Sequence, residues 1–225
     1  MLTNRFDGIG MTSTRTRTRM IDRLREQGIR DEVVLAAMNA VPRHIFVDEA
    51  LASRAYEDTP LPIGSGQTIS QPWVVARMCE LARHGRELDS VLEVGTGCGY
   101  QTAVLAQIAK TVYTVERIGS LVNKARRNLQ ALKVGNVRLK HGDGGSDLGE
   151  DLAVDAIIVA AGATHLPGTL QKHLKPGGRI VVPLASRDEG GRGVQRLTVF
   201  ESTPSGLRET TLDAVRFVPL LAGRA

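Results

Sequence analysis

From residue 90 onward short β-rich runs, "SVLEV", "TVYTVE", "VRLKH", "DAIIVA" and "RIVVPL", alternate with helical stretches at 100–109, "SLVNKARRNLQAL" and "LPGTLQKHL". Near-continuous apolar strands separated by helices predict a parallel sheet covered on both faces. After "RIVVPLA" the pattern changes. "GVQRLTVFES" and "LRETTLDAVRFVPL" straddle the turn "TPSG" and predict an antiparallel hairpin that finishes the sheet, with Arg216 and Phe217 in its second strand. "RDEGGRG" at 187–193 reads as a mobile loop.

Ahead of residue 90 the pattern is helical. Met20–Gln27 places apolar residues at 20, 21 and 24 and stops at Gly28. Asp31 caps "EVVLAAMNAV", which ends at Pro42, and "HIFVDEALASRAY" reads as a third short helix. Pro72 suits the first position of a helix running to about Arg83. These helices are too short to form a domain and are expected to pack on the sheet. The expected organisation is a disordered basic tail over 1–19 and one domain over 20–225. Within that domain, 20–89 form a helical lid ending in a glycine-rich loop, 90–185 the strand–helix core, and 186–225 the C-terminal strands.

Composition narrows the function. The chain has 225 residues, 42% of them apolar, enough for one sizeable core. No window approaches 18 uninterrupted apolar residues, so no membrane span or secretory leader is expected. Cys79 and Cys98 form no metal-spaced cluster, so no metal is expected and a reducing, cytoplasmic setting fits. Of the net charge of +5, residues 1–30 carry +4, through seven Arg against Asp7, Asp22 and Glu26. The remaining body is nearly neutral, which disfavours a nucleic-acid partner. "TRTRTR" reads as a solvated tail, and Met11 and Met20 are alternative starts.

"VLEVGTGCGY" places Gly95, Gly97 and Gly99 between a strand and a helix, a tight turn that lets a ligand approach backbone N–H groups. The third glycine comes one residue early for a dinucleotide fingerprint, which weighs against NAD. Glu93 lies in the first strand, Glu116 ends the second, and Asp143 in "HGDGG" ends the next. Glu116 is placed to accept both hydroxyls of a ribose, and Asp143 to accept from an adenine amino group. Three acids at the carboxyl ends of adjacent strands converge on one crevice and predict a nucleoside site in a Rossmann-like, doubly wound α/β fold. Cys98 could be a thiol activated at a helix start or a small packing residue. His141 could line the adenine pocket or be structural. No G-x-S-x-G elbow supports a hydrolase.

The pattern E-x-G-x-G-x-G with a second-strand acid resembles the class I S-adenosylmethionine-dependent methyltransferases. Together with "VPRHIFVDEA", "LPIGSGQTISQPWVVARM", "VERI", "HGDG", "DAIIVAAGA", "LKPGGRIVVPL" and "VRFVPL", it resembles the protein-L-isoaspartate O-methyltransferase family from about Met20 to the end. The resemblance implies methyl transfer from S-adenosylmethionine, leaving S-adenosylhomocysteine, to the free α-carboxylate of L-isoaspartyl residues in damaged proteins and peptides. The ester then returns through a succinimide to aspartate. Gln67, Thr68, Ile69, Ser70, Glu93, Gly95, Gly97, Gly99, Glu116, Asp143 and Gly144 are implied as cofactor contacts, and Ser70 as the active-site serine. Ser70 also suits a helix N-cap ahead of Pro72. The family's C-terminal part implies a supporting role for "VRFVPL" beside the peptide groove. The chain is expected to act as a monomer without metal, nucleic acid or membrane. The alternatives are a methyltransferase with a small-molecule or RNA acceptor, or an NAD-dependent oxidoreductase.

Overall fold

The computed structural model describes residues 8–146, 148–149, 151–187, 191 and 193–225. A seven-stranded sheet has the order β5-β4-β3-β6-β7-β8-β9. Its members are β3 (Leu88–Val94), β4 (Ala109–Glu116), β5 (Val137–His141), β6 (Val154–Val159), β7 (Leu174–Arg187), β8 (Gly193–Thr203) and β9 (Gly206–Val215). The first five run parallel, and β7–β8 and β8–β9 are antiparallel. The strand order reverses at β3, so the connections leaving the ends of β3 and its neighbours run to opposite sides and leave a crevice at the carboxyl ends of the strands.

Side-chain alternation divides the core between the two faces of the sheet. Val91, Ala156, Ile158 and Val181 join one cluster, and Leu92, Val94, Ile157, Val159, Ile180 and Val182 the other. The first face is filled by α1 (Thr14–Glu26), α2 (Glu32–Ala40), α3 (Pro72–Arg83), α4 (Tyr100–Ile108) and leucines of α5 (Gly119–Ala131). The second face has thinner cover, from four-residue α6 (Gly168–Gln171) and neighbouring irregular segments. "LPGTLQKHL" thus yields only one helical turn, because Pro167 precedes it and β7 begins at Leu174.

Local chemistry places several ends where the sequence puts them. The Asp31 carboxylate accepts from the N–H groups of Val33 and Val34, and α3 starts at Pro72. Other expectations are corrected. The segment Thr14–Arg19, read as part of a disordered tail, is the first half of α1. Ser13 caps this helix, and Arg17, Met20, Ile21 and Leu24 share its buried face, with Arg17 8% exposed. The Thr/Arg alternation conceals a 3.6-residue stripe whose first member is the aliphatic stem of an arginine. Residues 1–7 of the expected tail lie outside the described residues, as do residues 188–190 and 192 of the glycine-rich loop.

The expected third helix is two 3-10 turns, Arg43–Phe46 and Glu49–Arg54, separated by extended backbone at Val47 and Asp48. A separate hairpin, β1 (Leu61–Gly64) and β2 (Gln67–Ile69), follows them. Arg216 and Phe217 lie beyond β9. The tail from there crosses the carboxyl edge of the sheet, where Gly162 donates to the Val218 carbonyl and Leu220 donates to the Gly162 carbonyl.

Candidate active site

The crevice at the carboxyl ends of β3, β4 and β6 opens into one cavity. Gln67–Ser70 form one wall, Gly95–Cys98 the floor, Glu116–Ile118 the next side, and Val218–Leu221 the far rim. Gly142 and Gly144 also line it. The carboxyl end of the β1–β2 hairpin and the glycine loop therefore face the same space.

Glu116 is 5% exposed at the end of β4. One of its oxygens accepts the Gly97 N–H at 2.9 Å and the other accepts the Ile118 N–H at 2.9 Å. Each carboxylate oxygen has a second lone pair, so both can accept a further hydroxyl from the cavity. The two N–H groups fix the carboxylate before any ligand arrives. Gly97 has a φ of +57°, and a Cβ there would come within 3.3 Å of Ile63 Cδ1. A side chain at this position would be strained by the backbone conformation, and the Ile63 methyl would have to give by a few tenths of an ångström.

Two bonds tether the hairpin to α5. The Ser65 and Ser120 hydroxyls are 3.0 Å apart, and Lys124 Nζ donates to the Ile63 carbonyl at 3.0 Å. Ser70 follows β2 and lines the cavity. It is not the cap of α3: Gln71 holds that position, and its side chain makes no capping bond. The carbonyl of Ser70 accepts from Arg43 Nη2 at 2.8 Å.

Gln67, Thr68, Ile69, Ser70, Gly95, Gly97, Glu116 and Gly144 line the cavity, whereas Glu93, Gly99 and Asp143 do not. Glu93 is fully buried below the glycine loop, where one oxygen accepts from Thr102 Oγ1 at 2.5 Å and Thr114 Oγ1 at 2.7 Å. Thr114 in turn bonds Thr96. Strand alternation turns Glu93 toward α4 and Val94 toward the opposite face. Burial raises the Glu93 carboxyl from 4.5 to about 7, against the opposing pull of the hydroxyls of Thr102 and Thr114. Gly99 is the N-cap of α4 and packs on Ala125. Asp143 accepts from the N–H groups of Gly145 at 2.8 Å and Gly223 at 2.7 Å, so it anchors the C-terminal tail.

Cys98 lines the cavity but is 2% exposed, and burial pushes its thiol pKa up, which favours packing over thiolate chemistry. His141 bonds the Arg117 carbonyl and is absent from the lining. Tyr100 falls in "VLEVGTGCGY", Arg117 and Ile118 in "VERI" and Val218–Leu220 in "VRFVPL", but within those motifs nothing local singles them out as lining residues. Among the described residues no group of three His, Cys, Asp or Glu could hold a metal, and no helix is long and apolar enough to cross a membrane.

A glycine loop after the first parallel strand, an acid ending the second and a crevice where strand order reverses define a Rossmann-like nucleoside-binding fold of the methyltransferase kind. The sequence pattern describing protein-L-isoaspartate(D-aspartate) O-methyltransferase matches residues 15–225, and the chain belongs to that family. A protein-L-isoaspartate O-methyltransferase of Dechloromonas aromatica is 62% identical over 217 residues, 96% of this chain and 98% of the relative. One of Methylobacillus flagellatus is 56% identical over 218 residues, 97% of each chain.

A solved protein-L-isoaspartate O-methyltransferase superposes with a TM-score of 0.78 at 28% identity, over 90% of this chain and 65% of that one. A Plasmodium falciparum relative, solved in complex with S-adenosyl-L-homocysteine, has a TM-score of 0.75 at 27% identity, over 91% of this chain and 98% of its own. Membership carries the family's activity, an S-adenosylmethionine-dependent methyl transfer to isoaspartyl residues that repairs damaged protein.

Proposed function

We propose that the cavity holds S-adenosylmethionine with its ribose on Glu116 and its acceptor end under the β1–β2 hairpin, where Ser70 orients the isoaspartyl α-carboxylate. The observation that carries this reading is that Thr68 and Ser70 face the same cavity as Glu116 and the glycine loop. The donor set fits the group. Glu116 keeps two free lone pairs beside fixed N–H bonds, and Ile118, Leu121 and Leu220 offer an apolar slot for a flat base.

When bound, S-adenosylmethionine supplies a methyl group on a cationic sulfur, which a carboxylate oxygen takes in one displacement with no proton transfer. The α-carboxylate is already ionised near neutral pH, so the site needs no general base. The tasks left to the chain are alignment and exclusion of water. Ser70 supplies a hydroxyl donor to one acceptor oxygen, and the hairpin covers the reacting end. Its tethers, Ser65 to Ser120 and Lys124 to Ile63, hold that cover in register with the ribose side. The tail at Val218–Leu221 closes the opposite rim and is itself held by Asp143. Both cysteines are free and buried, which supports a reducing cytoplasmic setting.

Labelled S-adenosylmethionine and paired peptides differing only in isoaspartyl or aspartyl linkage test the reading. Only the isoaspartyl peptide is expected to gain label, as an alkali-labile ester. Equal labelling of both peptides, or a base-stable product, overturns it.

A further inference from the structure

Arg43 is fully buried at the start of a 3-10 turn. Its Nε donates to the Ala55 carbonyl at 2.7 Å and its Nη2 to the Ser70 carbonyl at 2.8 Å. Its guanidinium carbon lies 4.8 Å from the centre of the Tyr100 ring, and Phe46 meets the same ring edge-on. Nη1 is buried without a hydrogen-bond partner, as is the Tyr100 hydroxyl. Among the described residues no carboxylate forms an ion pair with Arg43. Asp58 acts on it only at longer range and is already occupied by the Trp73 N–H and the Gln27 amide.

A buried charge without a counter-ion is costly, and proteins seldom keep one unless it acts on something. The two residues that Arg43 touches from behind, Ser70 and Tyr100, both line the cavity. The cation therefore sits one residue layer beneath the surface on which the acceptor is to be placed.

We propose that Arg43 is the charge sensor of the acceptor site: its buried guanidinium attracts the acceptor's free carboxylate through the Ser70 floor and has no such hold on the neutral ester formed from it. This inference rests on the acceptor placement proposed above. Its position matters chemically. Methyl transfer cancels the carboxylate's negative charge, so a cation in direct contact would hold the acceptor in its ground state and slow the step. A cation one layer below favours entry of an anion more weakly than a contact would, gives up that attraction as transfer neutralises the acceptor, and so favours release of the uncharged product. Arg43 is thus a positioning residue that acts through Ser70.

The test uses the full chain with S-adenosylhomocysteine present, and fluorescence anisotropy of labelled peptides. One peptide carries an isoaspartyl residue with a free α-carboxylate, and the other carries an α-carboxamide at the same place. Arg43→Met is expected to lower the carboxylate-to-carboxamide affinity ratio roughly 10- to 30-fold, the range for two charges one residue layer apart at an effective dielectric near 20. Arg43→Lys, which keeps the charge but not the fork of donors, is expected to hold the ratio within about 3-fold of wild type. A purely structural role would weaken both peptides equally and leave the ratio unchanged, and that result overturns the inference.

If Arg43→Met does not fold, Asp58→Asn decides. Removing the opposing charge should raise the ratio by about 2- to 3-fold, and an unchanged ratio overturns the proposal. Failure of the acceptor placement itself would look different, because wild type would then show no preference between the two peptides.

Discussion

The carboxylate of Glu116 accepts the N–H of Gly97 at 2.9 Å, joining the end of β4 to the glycine loop that follows β3. A single acid thereby shapes the loop and presents its remaining lone pairs to the cavity. Glu116→Ala should weaken S-adenosylhomocysteine binding by about 10- to 150-fold, the equivalent of about 1.5–3 kcal/mol for hydrogen bonds to a charged group. Isothermal titration checks this. A change below about 3-fold would remove Glu116 from the ribose site.

Ser70 offers a cleaner separation than its place ahead of Pro72 suggests, because Gln71 holds the helix cap. Ser70→Ala should leave the melting temperature within about 2 °C and cofactor affinity nearly unchanged, since no cap worth about 1 kcal/mol is lost. The single-turnover rate should fall by about 10-fold or more if the hydroxyl orients the acceptor. An enzyme with full turnover and a lowered melting temperature would reverse the assignment.

What could be read in the sequence was what local chemistry decides. The Asp31 cap, the Pro72 start, the glycine loop and the β8–β9 hairpin each follow from a few adjacent residues. Glu116 was legible because strand ends and loop spacing fix its place. The same spacing points Glu93 and Asp143 into the crevice, but the pleat turns Glu93 under the loop and the tail occupies Asp143. Those placements depend on α4 and on residues 80 positions away, which no local pattern encodes. Arg43 has no signal beyond its presence in "VPRHIF", and only packing reveals a cation without a counter-ion among the described residues.

The first half of α1 gives a stability prediction. A chain beginning at Met20 would lose the Ser13 cap and the buried stem of Arg17, and Met20, Leu24 and their neighbours would be left on a stub of seven residues. A cap costs about 1 kcal/mol, and the lost burial adds at least as much. For a domain of this size that corresponds to a fall of about 4–8 °C in melting temperature. Differential scanning calorimetry on both lengths decides it, and a change of less than about 1 °C would return residues 14–19 to the status of a tail.

Glu93 yields a pH dependence whose sign can be worked out. Burial raises its carboxyl from 4.5 to about 7 in the folded chain, so the folded state binds its proton more tightly than the unfolded state does. Stability from this group is fully present below about pH 4.5 and is lost as pH rises through about 7. The shift corresponds to stability on the order of 3 kcal/mol. Asp155 acts in the reverse sense: burial is the largest single effect on its carboxyl and raises it, but the bond and charge of Lys175 together with the N–H groups of Ser90 and Asp89 outweigh burial and lower it, so its contribution is lost on acidification. Glu93→Gln isolates the first effect. Its amide oxygen can still accept from Thr102 and Thr114, and it cannot ionise. The variant should gain on wild type between pH 5 and pH 8, by several degrees in melting temperature at the upper end. If the difference between variant and wild type stays flat across that range, Glu93 is not the group that titrates beneath the glycine loop.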